Sequence, residues 1–99
     1  MQIDIRSIHF KADRKLEEFI KEKVQKLSQF YDGVIGTEVF LKLDNTDTSD
    51  NKITEIRLNV RGNDLYAKKQ SKSFEESTDT AVEALRRQLI KYKEKVRRT

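Results

Sequence analysis

The sequence predicts an α+β fold with the element order β-α-β-β-β-α, in which four strands form one mixed sheet and two helices pack on one face. Three observations predict it. Several short segments alternate apolar and polar residues with period two, as half-buried strands do. Two longer segments repeat apolar residues every three or four positions, as amphipathic helices do. Each strand has one apolar face, so two helices covering a single face of the sheet would bury all of them.

The first two elements are a strand over residues 2–7 and a helix that begins after Asp13. Ile3 and Ile5 lie on the same face of the strand. Asp13 is a favourable N-cap residue. The apolar residues that follow it at helical spacing are Leu16, Phe19, Ile20, Val24, Leu27 and then Phe30 or Tyr31. We predict that this helix ends at Asp32-Gly33, because glycine commonly follows the last helical turn.

The next three strands are predicted over residues 37–43, 54–61 and about 65–71. The first two alternate apolar and polar residues, and a linker rich in Thr, Asp and Asn over residues 45–52 joins them. Residues 61–64, Arg-Gly-Asn-Asp, have the composition of a tight hairpin turn. The last strand carries Lys68 and Lys69 and few apolar residues, which suits an exposed sheet edge. A helical crossover makes the first two strands parallel, whereas hairpins make the others antiparallel.

The last helix is predicted to begin at Ser73 and to run to the end of the sequence. Ser73-Phe74-Glu75-Glu76 matches the capping box, in which the serine hydroxyl and the glutamate carboxylate satisfy each other's backbone amides. Its apolar stripe consists of Phe74, Thr78, Ala81, Val82, Leu85, Leu89, Tyr92 and Val96. Basic residues near its end avoid this stripe, so a helix packed on the sheet would present cations on both flanks.

Composition limits the possible classes of function. With 99 residues, 35% of them hydrophobic and 38% charged, the sequence is typical of a small soluble protein, and we expect residues 1–99 to form a single domain. No Cys and only one His are present, which excludes thiol catalysis, disulfides and nearly all His/Cys metal sites. No signal peptide or membrane span is recognisable. We therefore expect a cytoplasmic protein with no membrane partner, no cofactor and no metal.

Single residues give little support for catalysis. His9 follows a strand without a nucleophilic partner, so a surface histidine is the simpler interpretation. Asp44, Asp47 and Asp50 lack the glycine and the distal glutamate of an EF-hand loop and fit a solvated acidic turn. An enzyme with a small-molecule substrate is therefore not expected.

Positive charge is concentrated at the C-terminal end of the sequence. The formal net charge is +4, and the last 14 residues carry seven of the 21 basic residues but one of the 17 acidic residues. Such a run is often only a solubilising helix face. Four of these cations are arginines, whose planar guanidinium suits phosphate recognition, so their placement on both flanks of an anchored helix favours a polyanion that carries phosphates. The seven cations are Arg86, Arg87, Lys91, Lys93, Lys95, Arg97 and Arg98.

Two further groups of residues bear on RNA binding. Lys23 and Lys26 of the first helix, together with Lys68 and Lys69, are expected to widen the basic surface if the predicted strand order is right. Tyr31, Tyr66 and Tyr92 could stack on bases, although tyrosines in helices and strands more often pack in the core.

These residues resemble the short-form ribosome hibernation promoting factors and the related ribosome-associated inhibitor. The resemblance spans nearly the whole chain, beginning with the opening strand Met1-Gln2-Ile3-Asp4-Ile5. It continues through Leu16-Glu17-Glu18-Phe19 and Gln29-Phe30-Tyr31-Asp32 in the first helix. The most specific match is the basic last helix, Arg87-Gln88-Leu89-x-Lys91-x-Lys93-x-Lys95.

The resemblance implies a cytoplasmic, non-enzymatic ribosome hibernation factor of stationary phase and the stress response, with the same β-α-β-β-β-α fold. It implies binding to the small ribosomal subunit and its rRNA in the channel used by mRNA and tRNA. Such a factor regulates translation by inhibiting it and promotes or stabilises inactive ribosome dimers. Ribosome modulation factor is a further partner that the resemblance leaves open, and the dimerising C-terminal domain of long-form members is not expected.

The resemblance also implies which residues contact rRNA. Matched position by position, these are Lys23, Lys26, Arg87, Lys91, Lys93, Lys95 and Arg97. Arg86 and Arg98 are added from their charge and position alone. Family members usually begin the last helix with an Asp-Met-Tyr-like segment, whereas this chain has Ser-Phe-Glu-Glu-Ser-Thr over residues 73–78; Phe74 can replace the apolar anchor. The alternative function is a general double-stranded RNA-binding module, but such domains have a basic start to the last helix, and here that start is acidic.

Overall fold

The computed structural model of the protein describes residues 1–45 and 49–97. Within them the element order is β-α-β-β-β-α, as predicted. The strands are β1 (Gln2–Ser7), β2 (Val34–Leu43), β3 (Lys52–Val60) and β4 (Asn63–Ser71). The helices are α1 (Arg14–Gln25), which a 3-10 turn over Lys26–Gln29 extends, and α2 (Phe74–Arg97).

The strands form one mixed sheet in the order β1-β2-β3-β4. β1 and β2 are parallel, with Ile5 opposite Val39. The other two pairs are antiparallel, with Val39 opposite Ile56 and Ile56 opposite Ala67. The predicted topology is confirmed, including the position of β4 at an edge of the sheet.

Three strands begin earlier than predicted, and β3 does so by two residues, at Lys52. β2 starts at Val34, three residues before its predicted start, because a bulge at Ile35 shifts the register and lets the strand continue. β4 starts at Asn63, since the turn before it comprises only Arg61 and Gly62. Gly62 has a φ angle of 81°, which a residue without Cβ adopts at little steric cost.

The first helix is shorter than predicted. Asp13 caps it as expected, because its carboxylate accepts a hydrogen bond from the Leu16 amide at 2.8 Å. The α-helix ends at Gln25, however, and residues 26–29 form a 3-10 turn. The Ser28 hydroxyl donates a hydrogen bond to the Gln25 carbonyl at 2.8 Å. A side chain thus satisfies a backbone carbonyl at the end of the α-helix. Apolar spacing alone does not distinguish this tighter turn from a further turn of α-helix.

The start of α2 is capped and anchored. Ser73 accepts a hydrogen bond from the Glu76 amide at 3.1 Å, which is the serine half of the predicted capping box. The Phe74 ring is buried and stacks on the Phe10 ring, with centroids 5.1 Å apart. Phe74 therefore serves as the apolar anchor of the helix.

The atypical residues that follow Phe74 have partners in the sheet. Ser77 and Thr78 are fully buried. Their hydroxyls lie 2.6 Å and 3.4 Å from the hydroxyl of Thr54 on β3. Because a buried hydroxyl is costly without a hydrogen-bond partner, Thr54 makes these polar residues compatible with the core.

The core lies between the sheet and the two helices. α1 contacts β1, α2 lies on β3 and β4, and the helices contact each other. Both therefore cover the same face, as predicted. The fully buried apolar residues are Ile20, Val24, Leu27, Val39, Leu41, Ile56, Leu58, Ala81, Leu85 and Leu89. The opposite, helix-free face of the sheet is called the open face and includes Phe40, Lys42, Glu55, Arg57 and Tyr66.

The open face holds one carboxylate that is nearly buried. Glu55 is 9% exposed, contacts the ammonium group of Lys42 and accepts a hydrogen bond from the Tyr66 hydroxyl. Burial raises the pKa of Glu55, but the bonds from Lys42 and Tyr66 outweigh it, so the pKa lies below its ordinary value of 4.5. The bond to Glu55 also raises the pKa of Tyr66.

We expect Glu55 to make the folded state sensitive to acid. A carboxyl whose pKa is lowered on folding stabilises the fold above its unfolded pKa, and this contribution is lost as the pH falls through the folded pKa. Glu55→Gln should therefore lower the free energy of unfolding at pH 7. The free energy of unfolding should then fall less in the variant than in the wild type as the pH drops below about 4.5. Urea denaturation at several pH values measures both effects. Glu38→Gln, on the same face and 3.8 Å from Arg57, is the control. An acid dependence equal to that of the wild type would contradict the prediction.

Candidate nucleic-acid interface

The basic residues of α2 lie on two flanks of the helix. At about 100° per residue, with Leu85 facing the sheet, three cations point toward α1 and three point away from it. The groove flank consists of Arg86, Lys93 and Arg97, and the outer flank consists of Arg87, Lys91 and Lys95. Gln88 fixes the orientation of the outer flank, because its Nε2 donates to the Tyr66 carbonyl on β4 at 3.0 Å. The structure thus presents cations on both sides of α2, as the helical spacing predicted.

The outer flank carries one cation per helical turn. Arg87, Lys91 and Lys95 are all exposed. Within residues 1–45 and 49–97, none of the three has a salt-bridge partner within 4.0 Å. The outer flank is therefore a row of cations available to an external anion.

Acidic residues of α2 offset part of the charge on the groove side. Arg86 donates two hydrogen bonds to Glu83, at 2.5 Å and 3.1 Å. Lys23 of α1 lies 3.3 Å from Asp79. The hydrogen bond from Arg86 lowers the pKa of Glu83, and the same bond raises the pKa of Arg86. Because Glu83 pairs with Arg86 and Asp79 adds a further negative charge on the groove side, the outer flank is the more strongly cationic side of α2.

Two adjoining recesses lie along the groove between the helices. Lys23, Lys26 and Arg86 border the first, with a volume of about 250 Å³. Lys93 and Arg97 border the second, of about 240 Å³, which we call the terminal recess. Gln29 and Phe30 border both recesses. The structure therefore brings the predicted residues of α1 and of the groove flank together around one continuous depression.

Some predicted residues lie elsewhere. The expectation that Lys68 and Lys69 extend the surface of Lys23 and Lys26 is wrong, because α2 rather than α1 lies on β4. Lys68 is on the open face, where its charge acts on Glu55. Arg98 and Asp47 lie outside the described residues.

The tyrosines are divided between packing and exposure. Tyr31 and Tyr92 contact each other edge to face, with ring centroids 5.7 Å apart. The Tyr92 hydroxyl donates to the Arg61 carbonyl at 2.6 Å. Tyr66 is half exposed, but it lies on the open face, away from the basic flanks of α2.

His9, the acidic residues and the two helices bear on other kinds of site. His9 is exposed at the surface. Among residues 1–45 and 49–97, no three His, Cys, Asp or Glu residues are grouped so that they could hold a metal ion. Neither α1 nor α2 is long and apolar enough to cross a membrane.

Comparison with known proteins identifies the family. A family model described as "Sigma 54 modulation protein / S30EA ribosomal protein" matches residues 3–97. The chain belongs to this family. Among its relatives is the ribosome hibernation promoting factor of Escherichia coli strain K12, 31% identical over 98 residues that cover 98% of both chains. The factor of the same name from Klebsiella oxytoca is 26% identical over 97 residues, again with 98% of both chains covered. The family resemblance noted in the sequence is confirmed.

Solved structures share the fold of this family member. The N-terminal domain of Thermus thermophilus Protein Y has a TM-score of 0.81 and 18% identity, and the match covers 93% of this chain and 99% of that chain. A ribosomal subunit interface protein from Coxiella burnetii has a TM-score of 0.83 and 19% identity, with 94% and 98% covered. At these identities the likeness concerns the fold alone.

Sequence patterns missed two features of the family member's basic surface. The pairing of Glu83 with Arg86 could have been found from their i, i+3 spacing, whereas that of Asp79 with Lys23 depends on the packing of two helices.

Val96 was assigned to the buried stripe of α2, which is wrong, because the residue is 41% exposed. Tyr92 already reaches the turn at the end of the sheet, so one helical turn later no sheet lies beneath α2.

Proposed function

We propose that this protein is a ribosome hibernation factor that binds the small ribosomal subunit through phosphates of its rRNA. In this proposal residues 1–99 act as a single ribosome-binding domain in the cytoplasm, with no catalytic activity. The bound protein occupies the channel used by mRNA and tRNA, inhibits translation, and promotes or stabilises inactive ribosome dimers in stationary phase and under stress. Ribosome modulation factor is the candidate second partner.

Family membership supports the ribosome as the partner. Relatives that align over nearly their full length are named ribosome hibernation promoting factors. A protein with the same fold is named a ribosomal subunit interface protein. These names support a role in ribosome hibernation, and the surface of this chain supports the mode of binding.

The observation that carries the proposal is the outer flank of α2. Its three cations are exposed, lack salt bridges in the described part of the chain, and stand on a helix whose buried side includes Leu85 and Leu89. Because the helix is already fixed, binding a phosphate orders only the ends of side chains and not the backbone. Contacts of this kind follow the shape of the phosphate backbone rather than the base sequence.

We expect binding to small subunits to weaken steeply with salt. Each phosphate contact lowers the slope of log K against log salt concentration by about 0.7 to 0.9. The slope should therefore lie between about −2, for the outer flank alone, and about −6, for all seven C-terminal cations. Co-sedimentation with purified small subunits from about 50 to 200 mM KCl at constant Mg²⁺ measures it. A slope near zero would contradict the proposal.

The same assay separates ribosome binding from general RNA binding. A plain RNA duplex is added as competitor at equal concentration of phosphate. If the duplex displaces the protein as well as free small subunits do, the protein is instead a double-stranded RNA-binding module. The acidic first turn of α2, with Glu75 and Glu76, argues against that outcome.

A further inference from the structure

We propose that the terminal recess binds one unpaired nucleobase of RNA, with the phosphate of that nucleotide held by Lys93 and Arg97. The inference rests on the proposed function, because that function identifies the RNA as rRNA of the small ribosomal subunit. It differs from the contacts described above, because a base in a recess is read by its shape and edge, whereas phosphate contacts carry no sequence information.

The rim of the recess is matched to a phosphate. Lys93 and Arg97 lie four residues apart on the groove flank, and both border the recess. Within residues 1–45 and 49–97, neither has a salt-bridge partner, in contrast to Arg86. These two cations are therefore available to an anion at the mouth of the recess.

The interior of the recess is suited to an aromatic ring. Phe30, Tyr31 and Val96 border it, and Val96 is 41% exposed to solvent. Unpaired bases stack readily on such aromatic and apolar side chains. The volume of about 240 Å³ is below that of pockets for drug-sized ligands, which favours a ligand as small as a single base.

The aromatic wall of the recess is held in place before any ligand binds. The Tyr31 ring lies against the backbone of Gly33, where a Cβ atom would clash with the ring. It also packs edge to face on Tyr92, whose hydroxyl donates a hydrogen bond to the Arg61 carbonyl. A wall fixed in this way costs little ordering when a base stacks on it.

Two polar side chains at the recess favour particular bases. The Gln29 amide can donate and accept hydrogen bonds, whereas the Asp32 carboxylate can only accept them. Guanine presents two adjacent donors to a carboxylate such as Asp32, its ring N1–H and its N2 amino group, whereas uracil presents only one, its ring N3–H. We therefore expect guanine to bind the recess more tightly than uracil.

The test is an NMR titration of the whole protein with small ligands. Guanosine monophosphate should shift the Val96 methyl and the Phe30 and Tyr31 ring resonances, with saturation at low millimolar concentration, and uridine monophosphate should bind several-fold more weakly. Ribose 5-phosphate should shift only Lys93 and Arg97. If ribose 5-phosphate reproduces the ring shifts, or if guanosine monophosphate causes none up to about 20 mM, the proposal is overturned.

A blocking variant tests the recess without changing charge. Val96→Trp fills the recess and keeps both cations, so it should abolish the ring shifts while phosphate still shifts Lys93 and Arg97. Leu43→Trp, at another exposed apolar position on β2, is the matched control and should behave like the wild type. Ring shifts that persist in Val96→Trp would place the base elsewhere and overturn the proposal.

Ribosome binding by the same variants separates this inference from the proposed function. Val96→Trp should bind small subunits several-fold more weakly than Leu43→Trp, with an unchanged salt slope, because no phosphate contact is lost. Equal binding by the two variants would contradict the use of the recess on the ribosome. A wild-type protein that binds guanosine monophosphate but not small subunits would contradict the proposed function and leave the recess assignment supported.

Discussion

Reversing the charge of Lys91 and Lys95 is expected to weaken binding to small ribosomal subunits by about 100-fold or more. Each reversal removes an attraction of roughly 1 kcal/mol at contact distance in water and adds a repulsion of similar size, and salt screening reduces both. Lys91→Glu with Lys95→Glu should also make the salt slope shallower by about 1.4 to 1.8, because two phosphate contacts are lost. Co-sedimentation at several salt concentrations measures both effects.

The matched control reverses two cations at the other end of the helix layer. Lys11 and Lys15 are exposed and lie near the start of α1. Phe10, just before Lys11, stacks on Phe74 at the start of α2, so this region is remote from the outer flank. Lys11→Glu with Lys15→Glu changes the net charge equally and should cost only a few-fold in affinity. An equal loss in both variants would mean that net charge, not the outer flank, governs binding.

The second large effect is expected from Leu85→Ala, which should lower the free energy of unfolding by about 2 to 5 kcal/mol. Leu85 lies in the middle of α2 with none of its side chain exposed, so truncation leaves a cavity between the helix and the sheet. A loss of this size is a large part of the roughly 5 to 15 kcal/mol that stabilise a protein. Urea denaturation measures the loss, and the melting temperature should fall by at least about 8 °C.

Ile35→Ala provides the control for this truncation. Ile35 also loses apolar atoms on mutation, but 60% of its side chain is already exposed at the bulge in β2. Its replacement should change the free energy of unfolding by no more than about 0.5 kcal/mol. If Leu85→Ala costs no more than Ile35→Ala, the core beneath α2 does not anchor the helix, and its cations are not held in position before binding.

The topology could be predicted because each element carries a strong local pattern. Alternation in β2 and β3 and the helical stripe around Leu85 and Leu89 follow directly from which side of an element is buried. The ends of elements depend on weaker, local bonds. The 3-10 turn after Gln25, where the Ser28 hydroxyl takes a backbone carbonyl, and the bulge at Ile35 leave no distinct pattern of apolar residues.

The candidate interface was predictable only in part. Helical geometry places Lys91 on one flank and Lys93 on the other without knowledge of the tertiary structure. The terminal recess could not be foreseen, because it arises where the end of α2 passes the 3-10 turn of a distant segment. The partial neutralisation of Lys23 by Asp79 depends on the same packing of α1 against α2.

The uneven distribution of charge along α2 gives the whole molecule an electric dipole moment. α2 has 24 residues and so is about 36 Å long, which is most of the 47 Å longest dimension of the protein. Glu75 and Glu76 lie at one end, and Lys95 and Arg97 lie at the other. In the field of a polyanion the protein should therefore rotate during diffusional approach so that the C-terminal end of α2 arrives first.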